Sequence, residues 1–321
     1  MGENKELPLV SIIIPVYNGS EYMEEAIDSA LNQTYSNLEV LVVNDGSRDD
    51  GATERIALSY GDRIRYISKP NGGVSSALNE GIRHMKGEYF SWLSHDDVYA
   101  PNKVANQVKM LLESKDLRAV ALCGHKQIDK NSALLGDARS ALRFQKSCVL
   151  NWQEALISLF RQGCYNGCAF LIPKAVFDEC GGFHEGLRYS QDMLMWIRIF
   201  LGGYWLVYSD QADVYCRVHD KQLTQTGKAL YYSDSKAIGD LVIPALCDAS
   251  DGDRNLLFYY AKNNAVYLNT TVVKDCMLAA KQKKLFAAGQ NLQLRTLLIY
   301  GRLRPLIRKV YYRVFKRVKT Q

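Results

Sequence analysis

Two adjacent carboxylates, Asp96 and Asp97, end the apolar run Tyr89-Phe90-Ser91-Trp92-Leu93. An acidic pair at the mouth of a buried strand is costly unless a cation or cationic ligand meets it. Asp-Asp ahead of a helix also serves as a solvated cap, so the pair alone does not decide the chemistry. Further candidates stand after other apolar runs. Tyr17 follows Pro15-Val16, Asp45 follows Val43-Asn44, Lys69 follows a short strand-like segment, and Asp192 opens an apolar helical stretch.

The elements that must carry these residues repeat one unit, an apolar strand followed by a helix. Val10 to Val16 reads as a strand buried on both faces, and Tyr22 to Leu31 has helical spacing. Leu38 to Val43 is a second strand, broken by the turn cluster Asn44-Asp45-Gly46-Ser47, and Ile64 to Ser68 is a third. Gly73 to Lys86 reads as a helix that Gly87 ends, and the strand running into Asp97 is the fourth. Such alternation implies an α/β fold with a doubly wound, mostly parallel sheet, whose ligands sit beyond the carboxyl ends of the strands. Tyr17, Asp45 and Asp96-Asp97 all fall at such ends. A nicotinamide-binding domain needs a glycine-rich first turn; Pro15-Val16-Tyr17-Asn18-Gly19-Ser20 has one glycine and no G-x-G-x-x-G.

The runs Val10 to Asn18, Val42 to Ser47 and Asp96-Asp97 resemble the nucleotide-sugar domain of family 2 glycosyltransferases, which adopt the GT-A fold. The likeness continues through Asn71 to Ile82, Gly181 to Glu185 and Gln191-Asp192, and ends near Arg217-Val218-His219, covering about two thirds of the chain. It implies an inverting, non-processive transferase that moves a sugar from a UDP-sugar to a hydroxyl. Breaking the bond from the anomeric carbon to phosphate builds charge on the departing diphosphate, which a Mn2+ or Mg2+ ion on carboxylates neutralises. By the resemblance Asp97 is the metal ligand and Asp96 contacts ribose or sugar; the family often has a further Asp where Ser94 stands, and His95 reads as a spacer or surface imidazole. Pro15, Tyr17 and Asp45 would hold the nucleotide, with Asp45 accepting from the N3–H of uracil. Lys69 and Arg217 are candidate phosphate or nucleotide contacts, and His219 a phosphate or metal contact. Arg217 and His219 lie two apart and face one way in an extended segment; Tyr215 to His219, with Asp220 to Gln225, resembles the segment that closes over the diphosphate. Asp192 would take the acceptor proton, ionised by the helix N-terminus. Where the family usually has Glu before this Asp, the chain has Gln191. Capping alone is the other reading of Asp192.

The 321 residues, 47% hydrophobic and 23% charged, suit one enzyme of globular make-up. The expected organisation is a catalytic domain over 1–225, with a nucleotide-sugar half near 8–125 and an acceptor half near 126–225, then a helical region over 226–321. The eight cysteines have no repeated C-x-x-C; Cys164 and Cys168 lack a matching second half for zinc, so reduced thiols in a cytosolic protein without a signal peptide are expected. Charge is uneven. After Asp275 there is no acidic residue and there are twelve Lys and Arg, so the tail carries +12 and the rest −6, for a net +6. Leu303, Leu306, Ile307, Val310, Tyr311, Val314, Phe315 and Val318 recur at helical spacing among Arg302, Arg304, Arg308, Lys309, Arg313, Lys316, Arg317 and Lys319. This basic amphipathic helix suits an anionic membrane surface, and docking on the protein's own core or a homodimer partner is the alternative. The expected acceptor is an oligosaccharide, lipid-linked, in capsule, O-antigen or exopolysaccharide synthesis at the cytoplasmic face of the cell membrane, with no nucleic acid partner. Polymerising relatives usually carry membrane spans and Gln-x-x-Arg-Trp, and the sequence has neither. The rival class is a catalytically silent binding relative or a nucleotidyltransferase of similar topology.

Overall fold

The computed structural model describes residues 7–114, 118–136, 146–220, 222, 228–250 and 255–315, with the backbone alone at 228, 229, 302 and 304–315. They fall into two compact units, residues 1–155 with 164–230, and residues 156–163 with 231–321.

Among the described residues the first unit has nine strands: β1 Val10–Val16, β2 Leu38–Asn44, β3 Arg65–Ser68, β4 Tyr89–Trp92, β5 Val98–Tyr99, β6 Ala119–Ile128, β7 Cys148–Leu150, β8 Phe170–Pro173 and β9 Trp205–Arg217. Their order is β3-β2-β1-β4-β8-β6-β9-β5, with β7 also on β9. The first four pair in parallel, and β8 joins antiparallel between β4 and β6. Every β1 residue is buried, as the Ile12-Ile13-Ile14 run demands of a strand covered on both faces. Helices α1 Met23–Leu31, α2 Ala52–Ser59, α3 Val74–His84 and α4 Lys103–Glu113 follow strands in the expected alternation. Then come α5 Trp152–Gln162, whose later residues belong to the second unit, α6 Ala175–Cys180 and α7 Gln191–Leu201. The α/β class with a helical C-terminal region is therefore as the sequence implies.

Side chains lock the loops at the strand ends. Asn18 Oδ1 accepts from Arg48 N at 2.7 Å and Ser47 Oγ accepts from Asn18 N at 2.9 Å, which ties the β1 end to the β2 end. Gly19 is needed for space: a Cβ there would lie 2.3 Å from Val16 Cγ2 and 2.7 Å from His95 Cδ2. Across the sheet, Asn79 of α3 brackets Phe183, accepting from its N–H at 2.9 Å and donating to its carbonyl at 2.8 Å. The motif residues Asn79 and Gly182-Phe183, about a hundred positions apart, are thus one contact.

The second unit is helical: α8 Lys228–Asp248, α9 Leu256–Val266, α10 Thr270–Lys283 and α11 Ala288–Phe315. Ile238, Val242, Leu246, Leu257, Ala261, Val273, Cys276 and Leu294 form its apolar interior. Asn255 caps α9, its Oδ1 accepting from Phe258 N at 2.9 Å. The basic amphipathic face expected over 302–319 falls on the side chains of 302 and 304–315 and on residues 316–321, which lie outside the described residues.

Candidate active site

A cleft of about 1120 Å3 opens at the carboxyl ends of β1, β2 and β4, and the start of α7 and the end of β9 also line it. Pro15, Tyr17, Asp45, Asp96, Asp97, Asp192, Arg217 and His219 all line it, and Lys69 stands behind Asp45. Residues separated by up to two hundred positions therefore meet as the strand-end rule requires.

Asp45 is buried and held by three donors. Lys69 Nζ at 2.7 Å and Gly72 N at 2.9 Å share Oδ1, while Gly73 N takes Oδ2 at 2.7 Å. Gly73 has φ 88°, the left-handed region where glycine is favoured, and this turns its N–H toward the carboxylate at the head of α3. A carboxylate offers about four lone-pair sites, so Oδ2 keeps one for a ligand donor. Lys69, expected at a phosphate, instead donates to Asp45 and to Pro70 O, both at 2.7 Å. Its charge stabilises the carboxylate that faces the cleft. Tyr17, 43% exposed, lines the same cleft.

The acidic pair divides into two environments. Asp97 is 6% exposed; its Oδ1 accepts from Arg217 N at 2.9 Å and its Oδ2 from the Cys168 thiol at 3.3 Å. Burial, then the neighbouring Asp96 charge, pushes its carboxyl up to about 8. Asp96 Oδ2 meets His219 Nε2 at 3.0 Å and Gln222 Nε2 at 3.3 Å. Burial works against its ionisation, but the His95 interaction and these two hydrogen bonds outweigh it and hold Asp96 below the usual carboxylate range. His95 is half-buried and packs under Gly19, and burial pushes its pKa down, against the neighbouring Asp96 charge that raises it.

Arg217 differs most from its expectation. Its side chain is fully enclosed, and its guanidinium donates to Asp96 O at 2.9 Å, Asp129 O at 3.1 Å, Ser132 Oγ at 2.9 Å and Glu25 Oε2. It also lies 4.6 Å above the Tyr22 ring. With four of five N–H groups engaged, it braces the acidic loop instead of offering a fork to phosphate. Of the neighbouring segment expected to close over a diphosphate, Lys221 and residues 223–225 lie outside the described residues.

Asp192 occupies the first turn of α7, its Oδ1 accepting from Met193 N at 2.8 Å. Burial raises its pKa, against hydrogen bonds from the Cys164 thiol and the Met193 amide that lower it, so the helix N-terminus does not win as the sequence suggests. Sequence reading also gave no role to Cys168. It accepts from Ser94 N at 3.3 Å, and so links the position where the family often has Asp to Asp97. Only tertiary structure could bring Cys168 to Ser94; neither spacing nor local pattern marks it.

Among the described residues, His, Cys, Asp and Glu do not gather in a group of three or more that would enclose a metal ion by themselves. Nor is any described helix long and apolar enough to cross a membrane.

The family description "Glycosyl transferase family 2" matches residues 11–163. An uncharacterised glycosyltransferase of Rickettsia typhi is 49% identical over 230 residues, which are 70% of this chain and 69% of that protein. The chain belongs to glycosyltransferase family 2. The chondroitin synthase of Pasteurella multocida is 46% identical over 116 residues, 36% of this chain but only 12% of that protein. The fold is GT-A. S. aureus TarS, residues 1–349, in complex with UDP-GlcNAc superposes with TM-score 0.69 and 17% identity over 91% of this chain and 87% of that one. The family 2 chain is thus a sugar transferase built on the architecture its strand ends imply.

Proposed function

We propose that this family 2 glycosyltransferase moves a sugar from a UDP-sugar, with inversion and one residue at a time, to a hydroxyl of a lipid-linked oligosaccharide. The observation that carries the reading is that the acidic pair and Asp192 line one cleft. At about 1120 Å3 this cleft exceeds the 300–1,000 Å3 of ordinary small-ligand pockets, leaving room for donor and acceptor together. The free lone pair of Asp45 Oδ2 suits the uracil N3–H, and the exposed Tyr17 ring suits the base or ribose face. The likeness to TarS, which was solved with UDP-GlcNAc, supports a uridine donor, and the chondroitin synthase likeness supports polysaccharide synthesis.

The described cleft lining holds five carboxylates, Glu21, Asp45, Asp96, Asp97 and Asp192, against one arginine that is already enclosed. A diphosphate entering such a site needs added positive charge. Each Asp97 oxygen accepts one hydrogen bond and keeps a lone pair, so the donor set fits Mn2+ or Mg2+ whose remaining ligands are phosphate oxygens. Asp97 would hold this ion, with His219 joining on release from Asp96. Such an ion supplies neutralisation of charge on the departing diphosphate. Asp192 takes the proton of the acceptor hydroxyl as its oxygen attacks the anomeric carbon from the face opposite the diphosphate, and UDP departs.

UDP release measured with chelator and then with added cation tests the reading. EDTA should abolish transfer, Mn2+ or Mg2+ should restore it, and Asp97→Asn should weaken cation-dependent UDP binding. Full transfer in EDTA would overturn the assignment of Asp97.

A further inference from the structure

Lys103 and Gln107 lie one turn apart on one face of α4, and both are fully buried. An ammonium has three N–H donors, and Lys103 uses them all: Nζ donates to Ser91 Oγ at 2.6 Å, Phe170 O at 3.0 Å and Tyr99 OH at 3.2 Å. These acceptors are neutral. Gln107 Nε2 donates to Ala169 O at 2.8 Å. An enclosed ammonium with neutral hydrogen-bond partners carries a desolvation cost that a methionine of similar length would not, so packing alone does not account for this residue.

The partners account for it. Ser91 is in β4 and Tyr99 in β5, the strands on either side of the loop that carries Asp96 and Asp97. Tyr99 OH also donates to Trp92 O at 2.5 Å, which closes the base of that loop. On the other side, Ala169 and Phe170 directly follow Cys168, whose thiol donates to Asp97 Oδ2 at 3.3 Å and whose sulfur accepts from Ser94 N at 3.3 Å. One ammonium and one amide therefore tie together the loop that bears Asp97 and the turn Gly167–Ala169 that meets its oxygen. A divalent cation tolerates ligand distances within only about 0.2 Å of their proper values, so its affinity depends on how firmly such a loop is held.

We propose that Lys103, assisted by Gln107, is a positioning residue for the carboxylate of Asp97, and sets the cation affinity of the donor site by acting through Ser91, Tyr99 and the Cys168 turn. The inference rests on the assignment of Asp97 as cation ligand above.

Calorimetric titration of UDP into the full chain over a series of Mn2+ concentrations tests it. Lys103→Met should raise the Mn2+ concentration that gives half-maximal UDP binding by about 10-fold, the scale seen when a group behind a metal ligand is lost, while at saturating Mn2+ its UDP affinity returns to within about twofold of wild type. Gln107→Leu should move the same midpoint in the same direction by less, and carries the test alone if the methionine variant does not fold by circular dichroism. Wild-type Mn2+ midpoints in the folded variants would leave Lys103 and Gln107 as core residues only and overturn the proposal. So would a loss of UDP binding that saturating Mn2+ does not recover, because that is distortion of the whole cleft. Wild type whose UDP binding ignores Mn2+ removes the Asp97 assignment, and wild type that ignores UDP removes the donor reading; the proposal falls with either.

Discussion

Asp192 is pulled two ways: burial favours its protonated form, while the Cys164 thiol and the Met193 amide favour the ionised one, and burial prevails. A base must be ionised to work, so activity should fall on the acid side as Asp192 gains its proton, at a pH above the usual aspartate value of about 3.9. Asp192→Asn should lower turnover by roughly 10²-fold or more and remove that acid limb, with donor binding nearly intact. A mutant as fast as wild type would reduce Asp192 to a helix cap. Arg217 poses the opposite question, since the sequence pattern puts it at a phosphate while the structure encloses it among Asp96 O, Asp129 O, Ser132 and Glu25. Arg217→Lys loses the planar fork and leaves buried acceptors unpaired, so we expect a cost of about 3 kcal/mol in unfolding free energy by denaturant titration. An unchanged midpoint with only a raised donor KM would restore the phosphate role. The difference shows where a sequence stops being informative. Asp45, Asp97 and Asp192 were legible because a strand end or a helix start fixes the direction in which a side chain leaves the backbone. The partners that absorb Lys69 and Arg217 come from distant segments, and no local pattern encodes that competition.

Lys103 makes the same point for whole elements. It opens α4 and is buried, its Nζ donating to Ser91 Oγ at 2.6 Å, Phe170 O at 3.0 Å and Tyr99 OH at 3.2 Å, so that one ammonium joins β4, β5 and β8. Burial pushes its pKa down to about 8. The unfolded chain, with lysine near 10.4, then binds this proton more tightly than the folded one, so stability rises as pH climbs from about 8 toward 10 and is lower beneath that window. Lys103→Met should flatten this rise by up to about 3 kcal/mol, at roughly 1.4 kcal/mol per pH unit. Unfolding midpoints of the two proteins at neutral pH and near pH 10 provide the check; parallel changes would mean that Lys103 is not the titrating group. The parallel strands β1, β2 and β4 were readable because each is a long or strongly apolar run followed by a helix. The antiparallel insertion of β8 was not. Phe170–Pro173 is four residues long, and its neighbours β4 and β6 are chosen by contacts such as Lys103 and Phe170, which no periodicity exposes.

Across the whole chain, opposite charges are segregated along the sequence, with −6 up to Asp275 and +12 after it. A net-acidic catalytic part suits a cation-dependent donor site. A basic tail suits something anionic outside it, and the described part of α11 agrees, since Leu292, Ile299, Tyr300 and Leu303 are exposed at spacings of seven, eight and eleven, one face of a helix. Leu294 is buried, so the opposite side of the same helix is already used in its own unit. We infer that this exposed face meets an anionic membrane, which the positive charge of the sequence after Asp275 would favour. At about 1 kcal/mol for each basic residue near such a surface, the eight Lys and Arg from Arg302 to Lys319 give strong adsorption even if half are poorly placed. Sedimentation with vesicles containing phosphatidylserine should therefore carry down the intact protein at low salt and less of it at high salt, as screening shortens the reach of each charge. Removing residues 302–321 should leave the protein in the supernatant while transfer to a soluble acceptor continues. If the shortened chain unfolds, or the intact one ignores anionic vesicles at low salt, the helix serves its own core or a second copy, and the membrane assignment fails.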